Sequence, residues 1–347
     1  MPILEWKCDG GAYNGLDPVI YHIEADREYP NLPSAIQAEL EGRIKLEMIH
    51  SLIDFGAVYL KTSASKHKPV RTLREKSSSP VPKGAYIRVS ANPKRYPAFW
   101  DIQDWRSLIL FESDDLLAVN KPPGSPTTET ADNIVENVRK QMERMLGYDD
   151  DKRRLEVASR LDIGTEGLLL FAKTPRSTSM LNNAFRNRTV TKKYRLRCRR
   201  KPSTMSGSVV HSWNKQASKS AMPGLLSAAG DESKRQVELE IISCEQSRHV
   251  HPETNEPMWL AVVELKTGLT HQIRLQFSAL GAALNGDTRY AAVEGLLQPD
   301  EEEGDVEFGK VVESNIDLQC FSLEFQDKDL PAGNPTRFEV PAPAWYE

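Results

Sequence analysis

Three polar side chains, far apart in the chain, are of types that acid–base and nucleophilic chemistry uses: Asp162, Tyr194 and Arg274. Asp162 lies in SRLDIGTEGLLLFAKT, residues 159–174. The apolar run Leu168–Ala172 predicts a buried strand, so the carboxylate sits on a loop feeding a core strand. Such a loop holds a head group rigidly and leaves it reachable, which suits a nucleophile. Taken alone, an aspartate beside threonine and glycine before a strand is most often a turn or cap residue. Arg274 lies in LKTGLTHQIRLQFSALGAALNGDTRY, residues 265–290, where Thr270–Gly281 predicts a helix running from a polar start to a glycine stop. His271, Gln272 and Arg274 crowd its first turn, and Gly286-Asp287 follows as a turn. A cation there can pair with Asp162 and keep it ionised; the plainer reading is an amphipathic helix with a solvated first turn. Tyr194 opens a predicted strand within TVTKKYRLRCRR, residues 189–200, among Lys192, Lys193 and Arg199. An aromatic among cations can stack a nucleobase beside a phosphate backbone; alone, a half-buried strand tyrosine is the better reading.

The rest of the chain must hold these residues in place. Its 347 residues suffice for two domains, or one large domain with appendages. Cys8, Cys198, Cys244 and Cys320 are scattered without metal or redox spacing and read as reduced thiols. His249 and His251 lack a cysteine or acidic partner at suitable spacing, so no metal site is expected and an exposed loop is. No apolar run approaches a membrane span, and MPILEWKCDGG resembles neither a secretory core nor a transit peptide. The expected compartment is the cytoplasm, or an organelle if a leader has been removed. Net charge is −4, but its distribution is uneven. Gly167–Gly230 carries thirteen Lys and Arg with no acid, and residues 61–95 carry ten with only Glu75, while PDEEEGDVE (299–307) concentrates negative charge in a loop. A phosphate backbone responds to local potential, so a basic face can bind RNA on an acidic protein.

The pattern predicts an extension over 1–40, a small module over 41–92, a linker over 93–104 and the main domain over 105–347. In EGRIKLEMIHSLIDFGAVYL (41–60) helical spacing gives way at Gly56 to a short strand, and KGAYIRV (83–89) predicts another. Asp132–Leu146 predicts an amphipathic helix with Ile134, Val138, Met142 and Met145 on one stripe and aspartate as N-cap. Further strands are predicted at 194–198, 237–243, 259–265 and 318–325, and residues 201–232 read as a long irregular insertion. Many strands with few intervening helices argue for an α+β domain on a mostly antiparallel central sheet with flanking helices.

In this order, the aspartate segment, the Tyr194 segment and the THQIR helix resemble the RluA-type family of pseudouridine synthases. LLAVNKPPGSPTT (116–128) is similar to the family's opening strand and its lysine-proline-x-glycine turn, which brings in Lys121. The resemblance spans roughly residues 105–340. Residues 41–92 resemble, more loosely, the small RNA-binding α/β module of ribosomal small-subunit protein four. The resemblance implies the pseudouridine synthase fold with a catalytic cleft, and isomerisation of specific uridines in structured ribosomal or transfer RNA. It implies no cofactor or metal and a monomer. Asp162 takes the position of the catalytic carboxylate, Tyr194 that of the tyrosine packed on the target base, and Arg274 that of the partner cation. Arg160 matches a residue that fills the space left by the everted uridine, and Lys121, Lys192, Lys193, Arg199, His271 and Gln272 are expected RNA contacts.

The chain departs from the family pattern at five places. Ser159 replaces histidine, Ile163 and Gly164 replace polar residues, Glu166 replaces serine, and Leu269 replaces arginine in the third motif. Each loses or alters a polar contact near the site and leaves the carboxylate itself. A catalytically silent relative that only binds RNA is the alternative, and an RNA-independent structural domain a more distant one.

Overall fold

A computed structural model of the chain describes residues 19–62, 68–148, 154–213, 226–228, 234–252, 254–291 and 315–346. Cys8 and the acidic loop expected at 299–307 lie outside these residues. The chain divides into two compact units: residues up to Ile102 with Thr128–Arg144, and Gln103–Thr127 with everything from Met145 onward.

The first unit carries a four-stranded antiparallel sheet, in spatial order Ile20–Glu24, Tyr86–Ser90, Val58–Lys61, Val70–Arg71. Helices Leu32–Glu39 and Leu46–Asp54 bury Leu32, Ile36, Ile49, Leu52 and Ile53 against it. The unit therefore reaches beyond the 41–92 stretch on both sides. Residues expected as an aperiodic extension supply its edge strand and first helix. Asn31 starts that helix by accepting from the Ser34 N–H, with proline in its first turn. Residues expected in the main domain also join this unit. Glu136, fully buried, accepts from Arg95, Asn133, Trp100 and the Tyr96 N–H. Ile134 and Val135 pack into the unit's core. The helix expected over 132–146 is accordingly shorter, Val138–Met145. Asp132 does not cap it: its carboxylate accepts the Lys94 N–H instead.

The second unit is built on an eleven-stranded sheet. Its main path runs Leu226–Ala228, Gly207–Trp213, Arg235–Val250, Pro257–Leu265, Thr191–Cys198, Leu318–Glu324, Glu166–Ala172, Leu116–Lys121, Ile109–Glu112. All neighbours are antiparallel except Glu166–Ala172 beside Leu318–Glu324. The expected α+β architecture is what the chain adopts. The region 201–232 is not wholly irregular: GSVVHSW alternates well enough to form a strand of seven residues. His249 is exposed next to the last residue of the long strand Arg235–Val250, and His251, just past its end, is buried rather than in an exposed loop. The helix Pro175–Asn187 begins at Thr174 with a capping box to Ser177 and buries Leu181 and Ala184. The core joins Leu168, Leu170, Tyr194, Leu196, Val263, Ile273, Phe277 and Cys320.

The parallel pairing depends on Gly167. Its φ is +111°, and a Cβ there would lie 2.2 Å from the Cys320 carbonyl oxygen. That oxygen belongs to backbone and cannot move aside, so only glycine lets the two strands meet. Gly167→Ala is expected to destabilise the protein by at least about 3 kcal/mol. Urea unfolding checks this; an unchanged midpoint would show that the strands can separate without penalty.

Candidate active site

Asp162 ends a loop that is fastened from the far side. The Thr165 N–H returns to the Asp162 carbonyl, closing a tight turn. The Lys121 ammonium donates to the carbonyls of Pro122, Ile163 and Thr165, at 2.9, 3.1 and 2.7 Å. Gly124 N–H also reaches the Ile163 carbonyl, and Thr127 Oγ1 bonds both the carbonyl and N–H of Leu161. The lysine-proline-x-glycine turn is thus a brace for the aspartate loop. Lys121 is fully buried, which corrects its expected place among the RNA contacts. A cation with its three protons on backbone carbonyls holds those carbonyls rather than a phosphate.

Arg274 comes from helix Gln272–Ala279. Its guanidinium grips Asp287 with two bonds, Nε to Oδ2 at 2.7 Å and Nη2 to Oδ1 at 3.0 Å. Nη1 is left to face Asp162 Oδ2 at 3.5 Å. Asp287 itself is 1% exposed and also accepts from the N–H groups of Arg289 and Tyr290. The expected Arg274–Asp162 pair is present as the looser half of a chain of three charges. Burial would pull the guanidinium's pKa down, and the bonds to Asp287 outweigh it and lift it. Arg274 stays charged.

Asp162 is the partly accessible member, with 25% of its side chain exposed. Removal of most of the carboxyl from water raises its pKa above the ordinary value. Arg274 and Lys121 oppose that shift, and Asp287 adds to it. Arg274 thus favours the ionised form, as expected, while burial has the larger effect on the pKa, because the best guanidinium donors already serve Asp287.

His271 caps the same helix from a left-handed backbone conformation, φ +59°. Its Nε2 lies 3.6 Å from Asp162 Oδ1, and its Nδ1 is 2.8 Å from the Tyr290 hydroxyl. Burial, then Arg274 and Arg289, push its pKa down to about 3. His271 is therefore neutral near pH 7, and its contact with Asp162 is not an ion pair. Gln272 is 2% exposed and fixes the turn that presents His271. It accepts from Thr267 Oγ1 and the Leu269 N–H and donates to Glu238 O and Gln276 Oε1. Its expected RNA contact is corrected: every polar atom of its amide is spent inside the fold.

Tyr194, 9% exposed, stands on strand Thr191–Cys198 opposite Cys320. Burial, with Cys320 and the charge on Asp162 behind it, holds its phenol well above its usual pKa, so it remains protonated. Side chains alternate along this strand, so Lys192 shares a face with Tyr194 while Lys193 points to the opposite one. Lys193 thus leaves the expected cluster, and half-buried Lys192 stays, its pKa lowered by burial. Arg160 is exposed two residues before Asp162, and Arg199 is half-buried just past the strand.

Four of the five departures from the resembled pattern find physical accounts, and nothing in the structure explains Ser159. Leu269 packs with Val237, Leu275 and Tyr290, an apolar filling where the family has a cation. Glu166 accepts from the Trp345 indole at 2.6 Å. Ile163 and Gly164 contribute carbonyls, to Lys121 and Gly124 and to the Ile316 N–H respectively. Asp287 and Tyr290 were not singled out as site residues. Their signal was the spacing Gly286-Asp287-x-x-Tyr290 directly after the helix. Gly286 has φ +80° and would place a Cβ 2.1 Å from the Asn315 carbonyl oxygen, so it marks a fixed turn. Among the described residues there is no cluster of three or more metal-ligating side chains, and no helix long and apolar enough to cross a membrane.

The family model for RNA pseudouridylate synthase matches residues 115–279. The chain is 30% identical over 264 residues to RNA pseudouridine synthase 6, chloroplastic, of Arabidopsis thaliana, covering 70% of this chain and 54% of that protein. It is 27% identical over 187 residues to the dual-specificity RNA pseudouridine synthase RluA of Vibrio vulnificus, covering 53% and 68%. A solved human structure, RNA pseudouridylate synthase domain containing 4, superposes with a TM-score of 0.48 at 18% identity, covering 70% of this chain and 91% of that one. The chain spans about half the length of the plant relatives it matches.

Two outcomes follow from the geometry. Lys121→Met strips the ammonium from three carbonyls and should cost about 1–3 kcal/mol of stability; unfolding no earlier than wild type in urea would remove the brace. Asp162→Asn should instead raise Tm. The folded carboxyl ionises above the ordinary 3.8, so the unfolded chain releases its proton first. Stability from this group falls as pH rises through that window and stays lower above it. The neutral amide escapes the penalty, so its advantage should be larger near pH 7 than near pH 3 in calorimetric scans.

Proposed function

The chain belongs, through residues 115–279, to the RNA pseudouridylate synthase family of RluA type, and from that premise we propose that it isomerises specific uridines in RNA to pseudouridine. The reaction breaks the bond from N1 of uracil to the ribose, turns the base, and joins C5 to the same ribose carbon. The C5 proton is lost and N1 gains one, so nothing is oxidised or reduced and no group is added. The observation that carries the proposal is the Asp162 carboxylate: part-exposed, backed by a braced loop, and faced by Arg274 and neutral His271.

In this reading Asp162 is the catalytic carboxylate. It acts ionised, so turnover falls as pH drops through a raised pKa rather than through the ordinary carboxylate range. The uridine leaves its stack to reach it, at a few kcal/mol. Protonated Tyr194 offers the base an aromatic ring and a hydroxyl. Arg160, exposed beside the loop, takes the vacated space, and Lys192 and Arg199 meet phosphates. The substrate is structured RNA, ribosomal or transfer, with the first unit adding contacts to it. The first relative's name says chloroplastic, which supports the organellar alternative to the cytoplasm.

Pseudouridine mapping on cellular and transcribed RNA, with and without the protein, tests this. Wild type should give product and Asp162→Ala none. Silence of both on ribosomal and transfer transcripts that still bind would favour the silent RNA-binding relative. Lys192→Ala should weaken RNA affinity and reduce the salt slope by about 1, with little change in the rate on bound RNA. An unchanged slope would take Lys192 off the phosphate path.

A further inference from the structure

His271 has no task in the chemistry as set out so far, yet the fold goes to some length to place it. It is a non-glycine residue in left-handed backbone at the first position before a helix, a conformation retained only where surroundings enforce it. Gln272 ties down the turn that leads into it. Tyr290, wholly buried, holds its ring in an edge-to-face contact at 5.7 Å between centroids and meets Nδ1 at 2.8 Å.

The proton positions follow from who can accept. A buried phenol must donate its proton or lose a hydrogen bond. Among the described residues the Tyr290 hydroxyl has one acceptor, His271 Nδ1. Its proton therefore goes there. A neutral imidazole with Nδ1 accepting carries its own proton on Nε2, and Nε2 is the atom facing Asp162 Oδ1. We infer that His271 is a positioning residue for Asp162: Tyr290 fixes its tautomer, and the tautomer aims a neutral N–H at the catalytic carboxylate. This rests on the reading of Asp162 given above.

The present Nε2–Oδ1 distance, 3.6 Å, is longer than a formed hydrogen bond. Contacts of this kind shorten when substrate seats and water leaves. With Arg274 Nη1 on Oδ2 at 3.5 Å, the carboxylate then has one donor per oxygen, a charged one and a neutral one. That arrangement fixes its rotation without adding a second positive charge, which would make a carboxylate less basic. The other groups bearing on this pair are Lys121 and Tyr194 on the Asp162 side, and Asp287 and Arg289 on the His271 side. Among them Asp287 is bound up with Arg274, and Lys121 with backbone carbonyls.

The test uses the full-length protein with three variants: His271→Leu, which removes the donor; His271→Gln, which can return an amide N–H; and Tyr290→Phe, which keeps the ring and frees the tautomer. His271→Leu should lower kcat by about tenfold to a hundredfold, the range for one hydrogen bond to a charged group. Its acid limb should move to higher pH, with RNA Kd changed less than about twofold. His271→Gln should restore most of the rate and the limb, and Tyr290→Phe should fall between. An acid limb unmoved in His271→Leu, a Gln variant no better than Leu, or an equal loss in Kd would overturn the role. Selective 15N-histidine spectra give a readout free of turnover. They should show His271 neutral and protonated on Nε2 from pH 7 down to about 4, with that preference lost in Tyr290→Phe. A charged ring at pH 6, or a proton on Nδ1, would overturn it. If wild type forms no pseudouridine on any RNA, the functional reading fails; the spectra, with a 13C titration of Asp162 in wild type and His271→Leu, still decide whether His271 acts on that carboxyl.

Discussion

The Arg274–Asp287 pair is what the site is built around. Two short bonds join a nearly buried guanidinium to a carboxylate almost wholly removed from water. Breaking such a pair from either side strands a charge in the interior at a cost of roughly 3–5 kcal/mol, so its geometry is not free to drift. Because Asp287 takes the guanidinium's best donors, Arg274 reaches Asp162 with what remains. The same helix then has to supply a second neighbour, and its capping residue His271 does so. Burial and Arg274 dominate the electrostatics of the aspartate, and Asp287, which does not touch it, acts on it by directing the guanidinium.

Two independent braces meet at Asp162. One is backbone: the Lys121 ammonium and the Gly124 N–H hold the loop from beneath. The other is side chain: Arg274 and His271 face the two oxygens from the helix. A reactive carboxylate needs both, since a loop fixed without its side chain leaves the rotamer loose, and a fixed rotamer on a loose loop moves with it. The energetic signature is a carboxyl kept less solvated than it would choose, with its pKa raised by burial.

The grouping of Asp162, Tyr194 and Arg274 in space was legible from the sequence because three separated segments agreed. What the sequence hid was direction. Lys192 and Lys193 look equivalent in composition, and only strand alternation separates them; that signal was present and simply outweighed by charge. Lys121 and Gln272 read as RNA contacts because polar side chains near a site suggest exposure, whereas both are consumed by backbone and neighbouring amides. Asp287 read as a turn because its partner lies thirteen residues back across that turn. The α+β sheet was legible from alternation. The strand at Gly207–Trp213 was masked by its Ser- and Lys-rich surroundings, and the passage of residues 128–144 into the first unit by the fact that sequence distance says nothing of which core an apolar pair will join.

The close crossing at Gly167 also sets when the strands around Asp162 can close up. The strand beside it, Leu318–Glu324, is synthesised about 150 residues after the aspartate loop. Until that late segment docks, the sheet has a gap between the halves bearing Asp162 and Tyr194. Long-range parallel pairing of this sort forms slowly and leaves edges open meanwhile. A nascent chain therefore carries Asp162, Tyr194 and Arg274 well before the sheet that brings them together is closed, and a stalled or truncated product would expose a sticky strand edge with those residues still apart.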